Sequence, residues 1–117
     1  MSDNHRPLGK TTVSPAVLAT IARMAALEVP GVSAVGRLAA GRDPSYRGRT
    51  FGGVRIAIHD GLISGDMYLV VKSGVNVREV CRDVQQQVAR ALQEMAGMGV
   101  ARMDAHVEDI DYDRTEA

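Results

Sequence analysis

Residues 54–72 run Val54-Arg55-Ile56-Ala57-Ile58-His59-Asp60-Gly61-Leu62-Ile63-Ser64-Gly65-Asp66-Met67-Tyr68-Leu69-Val70-Val71-Lys72. Val54, Ile56 and Ile58 alternate with Arg55, Ala57 and His59, the period of a half-buried strand. Asp60-Gly61 closes a two-residue hairpin, because such a turn needs residues that accept positive φ. A return strand is expected from about Leu62 to Lys72, with Ser64-Gly65 read as a bulge. Along its second half Met67, Leu69 and Val71 alternate with Tyr68, Val70 and Lys72. The centre of the chain is therefore a hairpin with one apolar face, and that face needs a cover.

Working outward, two helices can supply the cover. Asn76 is an N-cap and Glu79 stands in capping-box position. Val77, Val80, Cys81, Val84, Val88, Ala91, Leu92 and Met95 form an apolar stripe over 77–96, opposite Arg78, Arg82, Gln86, Arg90 and Gln93. Gly97 and Gly99 end this helix. Upstream, Ser14 caps a helix over 15–29, Pro15 fits its first position, and Pro30-Gly31 stops it. Val17, Ile21 and Met24 are read as its inner face, flanked by Leu18, Ala22, Ala25 and Val29. Its outer face is then Ala16, Ala19, Thr20, Ala26 and Leu27 around Arg23.

Further strands are expected at Val32 to Leu38, where Gly36 marks a bulge or an early end, and at Val100 to about Ile110. A short edge strand is possible over Lys10 to Val13. In the last strand Ala101, Met103, Ala105 and Val107 alternate with Arg102, Asp104, His106 and Glu108. Residues 39–53, rich in Arg and Gly, read as a loop. The organisation expected is a polar tail over 1–9, one domain over 10–111 and an acidic tail over 112–117. The fold class is α+β: two layers, a mostly antiparallel sheet, and two amphipathic helices on one face.

At 117 residues, 45% apolar and 24% charged, this is an ordinary globular composition. Lys plus Arg equals Asp plus Glu at 14 each, which disfavours bulk electrostatic binding to nucleic acid or anionic lipid. The aromatic residues are Tyr46, Phe51, Tyr68 and Tyr112 alone, too few for a base-stacking platform. No apolar run reaches the ~20 residues that span a bilayer, and the polar start lacks the apolar core of a signal peptide. A cytoplasmic protein is expected, and the single cysteine agrees.

Chemistry is hard to place on the sequence. Gly9-Lys10-Thr11 imitates the end of a phosphate-binding loop, but Asn4 stands where its first glycine belongs. Gly31-Val32-Ser33 begins like a nucleophile elbow, but Val35 replaces the closing glycine. Cys81 lies in the apolar stripe and reads as an inert small hydrophobe. His59 and His106, with Asp104 and Glu108, could share the wet sheet face and hold a divalent metal; solvated surface residues are the plainer reading, and no metal or cofactor is assigned. No catalytic residue is assigned either.

Charge is balanced overall but not locally. Arg37, Arg42, Arg47 and Arg49 lie in the basic 37–49 segment, whereas Asp104, Glu108, Asp109, Asp111, Asp113 and Glu116 crowd the end of the chain. Such a split allows the basic loop of one molecule to meet the acidic end of the next. The candidate interaction residues are therefore Arg42, Arg47 and Arg49 in the loop, and Asp109, Asp111 and Asp113 at the end. Ala19, Arg23 and Ala26 on the first helix, and Arg78, Arg82 and Arg90 on the second, complete the set.

An ordered series of motifs carries a resemblance. It comprises Val13-Ser14-Pro15-Ala16-Val17 with Ile21-Ala22, Glu28-Val29-Pro30-Gly31-Val32, and Tyr68-Leu69-Val70-Val71. Next come Gly74-Val75-Asn76-Val77, Glu79-Val80, Val84-Gln85 and Val88. Met95-Ala96-Gly97-Met98-Gly99-Val100 and Val107-Glu108-Asp109-Ile110 close it. Over about residues 10–111 the chain resembles the alkaline-shock protein family of mainly Gram-positive bacteria. It departs from that pattern in the long 39–53 loop and in the Arg102–Val107 strand. The resemblance implies a small, abundant, non-enzymatic protein tied to envelope stress. It also implies self-assembly and a separate membrane-anchored partner that holds the protein beneath the membrane. It transfers no catalytic residue. The leading expectation is thus a self-associating scaffold or adaptor. The alternative is a small KH-like RNA- or DNA-binding module, which the lack of any two glycines three apart counts against.

Overall fold

The central hairpin forms as the alternation requires. The structure, a computed structural model, describes residues 8–36 and 49–112. In chain order its elements are α1 (Pro15–Leu27), β1 (Val32–Val35), β2 (Arg49–Phe51), β3 (Val54–His59), β4 (Leu62–Lys72), α2 (Val77–Ala96) and β5 (Val100–Asp111). β3 and β4 pair antiparallel from Val54 opposite Met67 to His59 opposite Leu62 without a slip. Asp60 and Gly61 turn the chain with φ of 53° and 78°. Ser64-Gly65 is therefore not a bulge in this ladder; Gly65 is there because a Cβ would run into the Arg55 carbonyl.

β4 organises the sheet because it is long enough to serve three partners. One edge pairs antiparallel with β3 over residues 62–67 and then with β1 over 69–71. β2 adds antiparallel to the outside of β3. The other edge pairs parallel with β5 along its whole length. The sheet is mostly antiparallel, as expected, with one parallel pair joined by the α2 crossover. The hand-over from β3 to β1 occurs at Tyr68, whose carbonyl accepts from Gly36 N–H while its own N–H donates to the Gly53 carbonyl at 3.0 Å. Gly36 and Gly53 meet there backbone to backbone, and a Cβ on Gly36 would lie 2.7 Å from the Gly53 Cα. Gly36 thus marks an early end: β1 stops at Val35 rather than Leu38.

Three further expectations are corrected. Lys10 to Val13 forms no strand; Val13 packs against the core from an irregular segment. The stretch expected as loop over 39–53 contains β2, which a three-residue ladder of Arg, Thr and Phe holds in place. The register slips lie on the partners of β4: Ala101 and Glu108 are the extra residues in β5, and Ser33 is the extra residue in β1.

The helices cover one face. α1 packs on β1, β2 and β3, α2 packs on β5, and the two helices touch each other. Ser14 accepts from Val17 N–H and Asn76 from Glu79 N–H, so both expected N-caps are made. α2 buries Val80, Val84, Val88 and Leu92, the middle of its expected stripe. α1 is rotated relative to expectation. It buries Leu18, Ala19, Ile21, Ala22, Ala25 and Ala26, while Val17 and Met24 face outward. The reason is its alanines: they let the backbone lie close to the sheet and to α2, and the larger side chains turn away. Leu18, Ile56, Ile63, Met67, Leu69 and Leu92 are wholly enclosed, each contributing about 2 kcal/mol relative to an exposed position.

Candidate functional site

Two surfaces of the described residues are unlike each other. On the sheet face away from the helices, alternation in β3, β4 and β5 brings Arg55, Asp66, Tyr68, Arg102, Asp104 and His106 together. Asp66 stands opposite Asp104, and Tyr68 opposite His106, across the parallel pair. The Tyr68 and His106 rings stack with centroids 4.8 Å apart and planes at 19°. The Arg55 guanidinium lies over the Tyr68 ring, 5.3 Å from its centroid. His106 Nε2 is 2.9 Å from Asp66 Oδ1. Arg102 donates to the Asp104 carboxylate and lies 3.8 Å from Asp66. This face is not uniformly wet: Arg55 is buried and so is Val70, since long side chains lay their stems across it.

Asp66, Asp104 and His106 hold their ligand-type atoms within 4.8 Å of one another. Of His59, His106, Asp104 and Glu108, the residues that the sequence suggests together, Asp104 and His106 do meet here, and His59 does not join them. His59 sits at the hairpin tip beside Asp60, 3.4 Å away and almost fully exposed. The positions of β4 opposite His59 and His106, Leu62 and Tyr68, are six steps apart along the strand, roughly 20 Å, so the two histidines do not meet. Asp66 was missed. Its alternation with Tyr68 was visible, but its approach to β5 depends on a parallel pairing that no local pattern encodes.

On the outer side of the helix layer, Val17, Met24 and Leu27 of α1 and Met95 of α2 are exposed; Met24 is 58% and Met95 69% accessible. A small groove between the helices is lined by Ile21, Met24, Ala25, Ala91 and Met95, with Glu28 and Gln87 at its rim. This surface replaces the one expected. Ala19 and Ala26 are 2% and 0% exposed and cannot meet a partner, whereas Arg23 is exposed as expected.

The remaining candidates fall apart spatially. Arg78, Arg82 and Arg90 are all exposed on α2, but Glu79, Asp83 and Glu94 interleave with them, leaving no net positive face. Asp111 ends β5 and its carboxylate accepts from Ser33 Oγ at 2.5 Å, while Asp109 accepts from the Ile110 N–H at 2.8 Å. Both acids are thus engaged within the fold. Arg49 belongs to β2 through its backbone; Arg42, Arg47 and Asp113 lie outside the described residues. Cys81 is half-buried, and burial pushes its thiol above the ordinary value, away from the thiolate that nucleophilic chemistry needs. Among the described residues no helix is long and apolar enough to cross a membrane.

Comparison with known proteins gives this geometry a setting. Residues 3–112 match the alkaline shock protein 23 family, described by a cell envelope-related function. The protein YqhY of Bacillus subtilis is 33% identical over 113 residues, spanning 95% of this chain and 82% of the relative. Spy1535 of Streptococcus pyogenes is 29% identical over 111 residues, spanning 92% and 84%. Among solved structures, one MamM-CTD variant superposes with a TM-score of 0.58 at 19% identity, over 84% of this chain and 100% of its own. Another gives 0.55 at 20% identity, over 80% and 93%. At such identities the likeness concerns the fold alone.

Proposed function

The chain belongs to the alkaline shock protein family of cell envelope-related proteins, and from that premise we propose that it is a non-enzymatic scaffold. It self-associates through its helix layer and docks a membrane-anchored partner. The observation that carries this reading is the apolar groove between α1 and α2 with Met24 and Met95 exposed at it, together with exposed Val17 and Leu27 on α1. Contiguous exposed apolar surface has a solvation cost that association removes, and the unbranched methionines adapt to whatever covers them. The rim favours a second copy of the chain. Glu28, the C-cap of α1, and Arg90 of α2 line one neighbouring hollow, and a rim of both signs can be self-complementary across a two-fold axis. The family's envelope-related function supports work at the membrane through another protein.

Nucleic-acid binding has less support, because the arginines of α2 are interleaved with acids and the formal net charge is zero. The test is the mass of the purified chain by light scattering across a concentration series, at low and high salt. A dimer that resists salt and dissociates in the double variant Met24→Asp, Met95→Asp is expected. Assemblies that grow at low salt would assign association to the split charge of Arg42, Arg47 and Arg49 against Asp109, Asp111 and Asp113. A strict monomer under every condition would remove self-association from the reading.

A further inference from the structure

We propose that Asp66, Asp104 and His106 form a binding site for a divalent transition-metal ion of the zinc or nickel type, on the sheet face opposite the helices. Asp66 and Asp104 are register partners on neighbouring strands, so two carboxylates face each other at a distance where like charges repel. The site therefore requires a cation. In the structure Arg102 supplies it, reaching both carboxylates from an exposed position.

His106 changes what else can serve. Its ring is held by the stack on Tyr68, and that orientation aims Nε2 at the Asp66 carboxylate, 2.9 Å away. An imidazole nitrogen and two carboxylate oxygens within 4.8 Å of one another need only small side-chain rotations. Tetrahedral bonds of about 2.0–2.2 Å to a common ion place ligands about 3.3–3.6 Å apart. An imidazole in the set favours zinc-like ions over calcium or magnesium, which take oxygen ligands. Asp66 is the deepest of the three, its side chain 14% accessible, while Asp104 and His106 are open to solvent at 46% and 44%. An ion can enter from that side and keep water in its remaining positions.

In this arrangement Arg102 is a built-in competitor: the ion enters as the guanidinium swings out. The backbone need not move, since both strands already lie in register.

The experiment is calorimetric titration of the full chain with zinc chloride and, separately, nickel chloride. One saturable site per chain is expected for the wild type. His106→Gln and Asp66→Asn should each weaken it about tenfold or more, the loss expected when a ligand or its support is removed, and Arg102→Gln should tighten it. Imidazole nitrogen spectra provide a readout that needs no variant: His106 should shift with zinc while His59 and His5 stay. Absence of a saturable site, an unchanged site in His106→Gln, a shift confined to His5 or His59, or weaker binding in Arg102→Gln would each overturn the assignment.

Discussion

The two faces of the sheet are made from alternate residues of the same strands, yet they are governed by different physics. Toward the helices, Leu69, Met67 and Ile56 are sealed in hydrocarbon, and volume decides what fits there. Away from the helices, Tyr68 stacks on His106 and lies under Arg55, while Asp66 meets His106 and Arg102. Such contacts are individually weaker and depend on pH and salt. The first face holds the fold together, while the second is free to vary its chemistry at small cost. That contrast predicts a steep difference in mutational sensitivity between neighbouring positions of one strand.

The largest effect should come from Leu69→Ala, which leaves a cavity in the sealed face and costs about 2–5 kcal/mol in chemical denaturation. A loss below about 1 kcal/mol would mean that the helices do not seal this face. Next is Gly36→Ala at the junction of β1 and β3. The added Cβ meets the Gly53 backbone, and φ is +26°; a loss of about 1–3 kcal/mol is expected. Full tolerance would show that the two strands do not share the β4 edge. Smaller again is His106→Ala on the far face, which removes one stack and one hydrogen bond and should cost about 1 kcal/mol. An effect rivalling that of Leu69→Ala would erase the contrast between the faces.

The smallest effect concerns Cys81. Burial raises its thiol pKa in the folded chain, so its contribution to stability is complete below the unfolded thiol's range. That contribution is lost as pH rises through the folded one. Iodoacetamide should alkylate the native chain more slowly than the urea-unfolded chain, with the native rate rising at higher pH. Faster native alkylation would contradict the half-buried placement.

How much of this was legible in the sequence differs between the helices for the same kind of reason. α2 alternates apolar and charged residues sharply, so the middle of its buried face could be read directly, although Val77 and Met95 at the two ends of the expected stripe are exposed, and the helix ends fell where Asn76 and Gly97 place them. α1 is apolar nearly all round. Its period could not say whether Val17 and Met24 or Ala19 and Ala26 face inward, and the close approach of the sheet chose the alanines. The hairpin and its turn were local and legible. The parallel pairing of β4 with β5 is set by a crossover of a whole helix, and no periodicity reports it. The cluster of Asp66, Tyr68 and His106 depends on that pairing, which is why its members could be seen singly but not together. β2 was hidden because its three residues lie beside Gly52 and Gly53 in a stretch otherwise rich in glycine and arginine.

The central claim is that the outer side of the helix layer is where this protein meets a second copy of itself. Methionine methyl resonances test it within one sample, because Met24 and Met95 lie on that surface while Met67 and Met103 are buried in the core. On serial dilution the account predicts that the Met24 and Met95 methyls move together along one binding curve and that Met67 and Met103 hold still. Methyls of Met24 and Met95 that stay fixed while the mass of the particle changes would contradict it, and would place the contact elsewhere on the molecule.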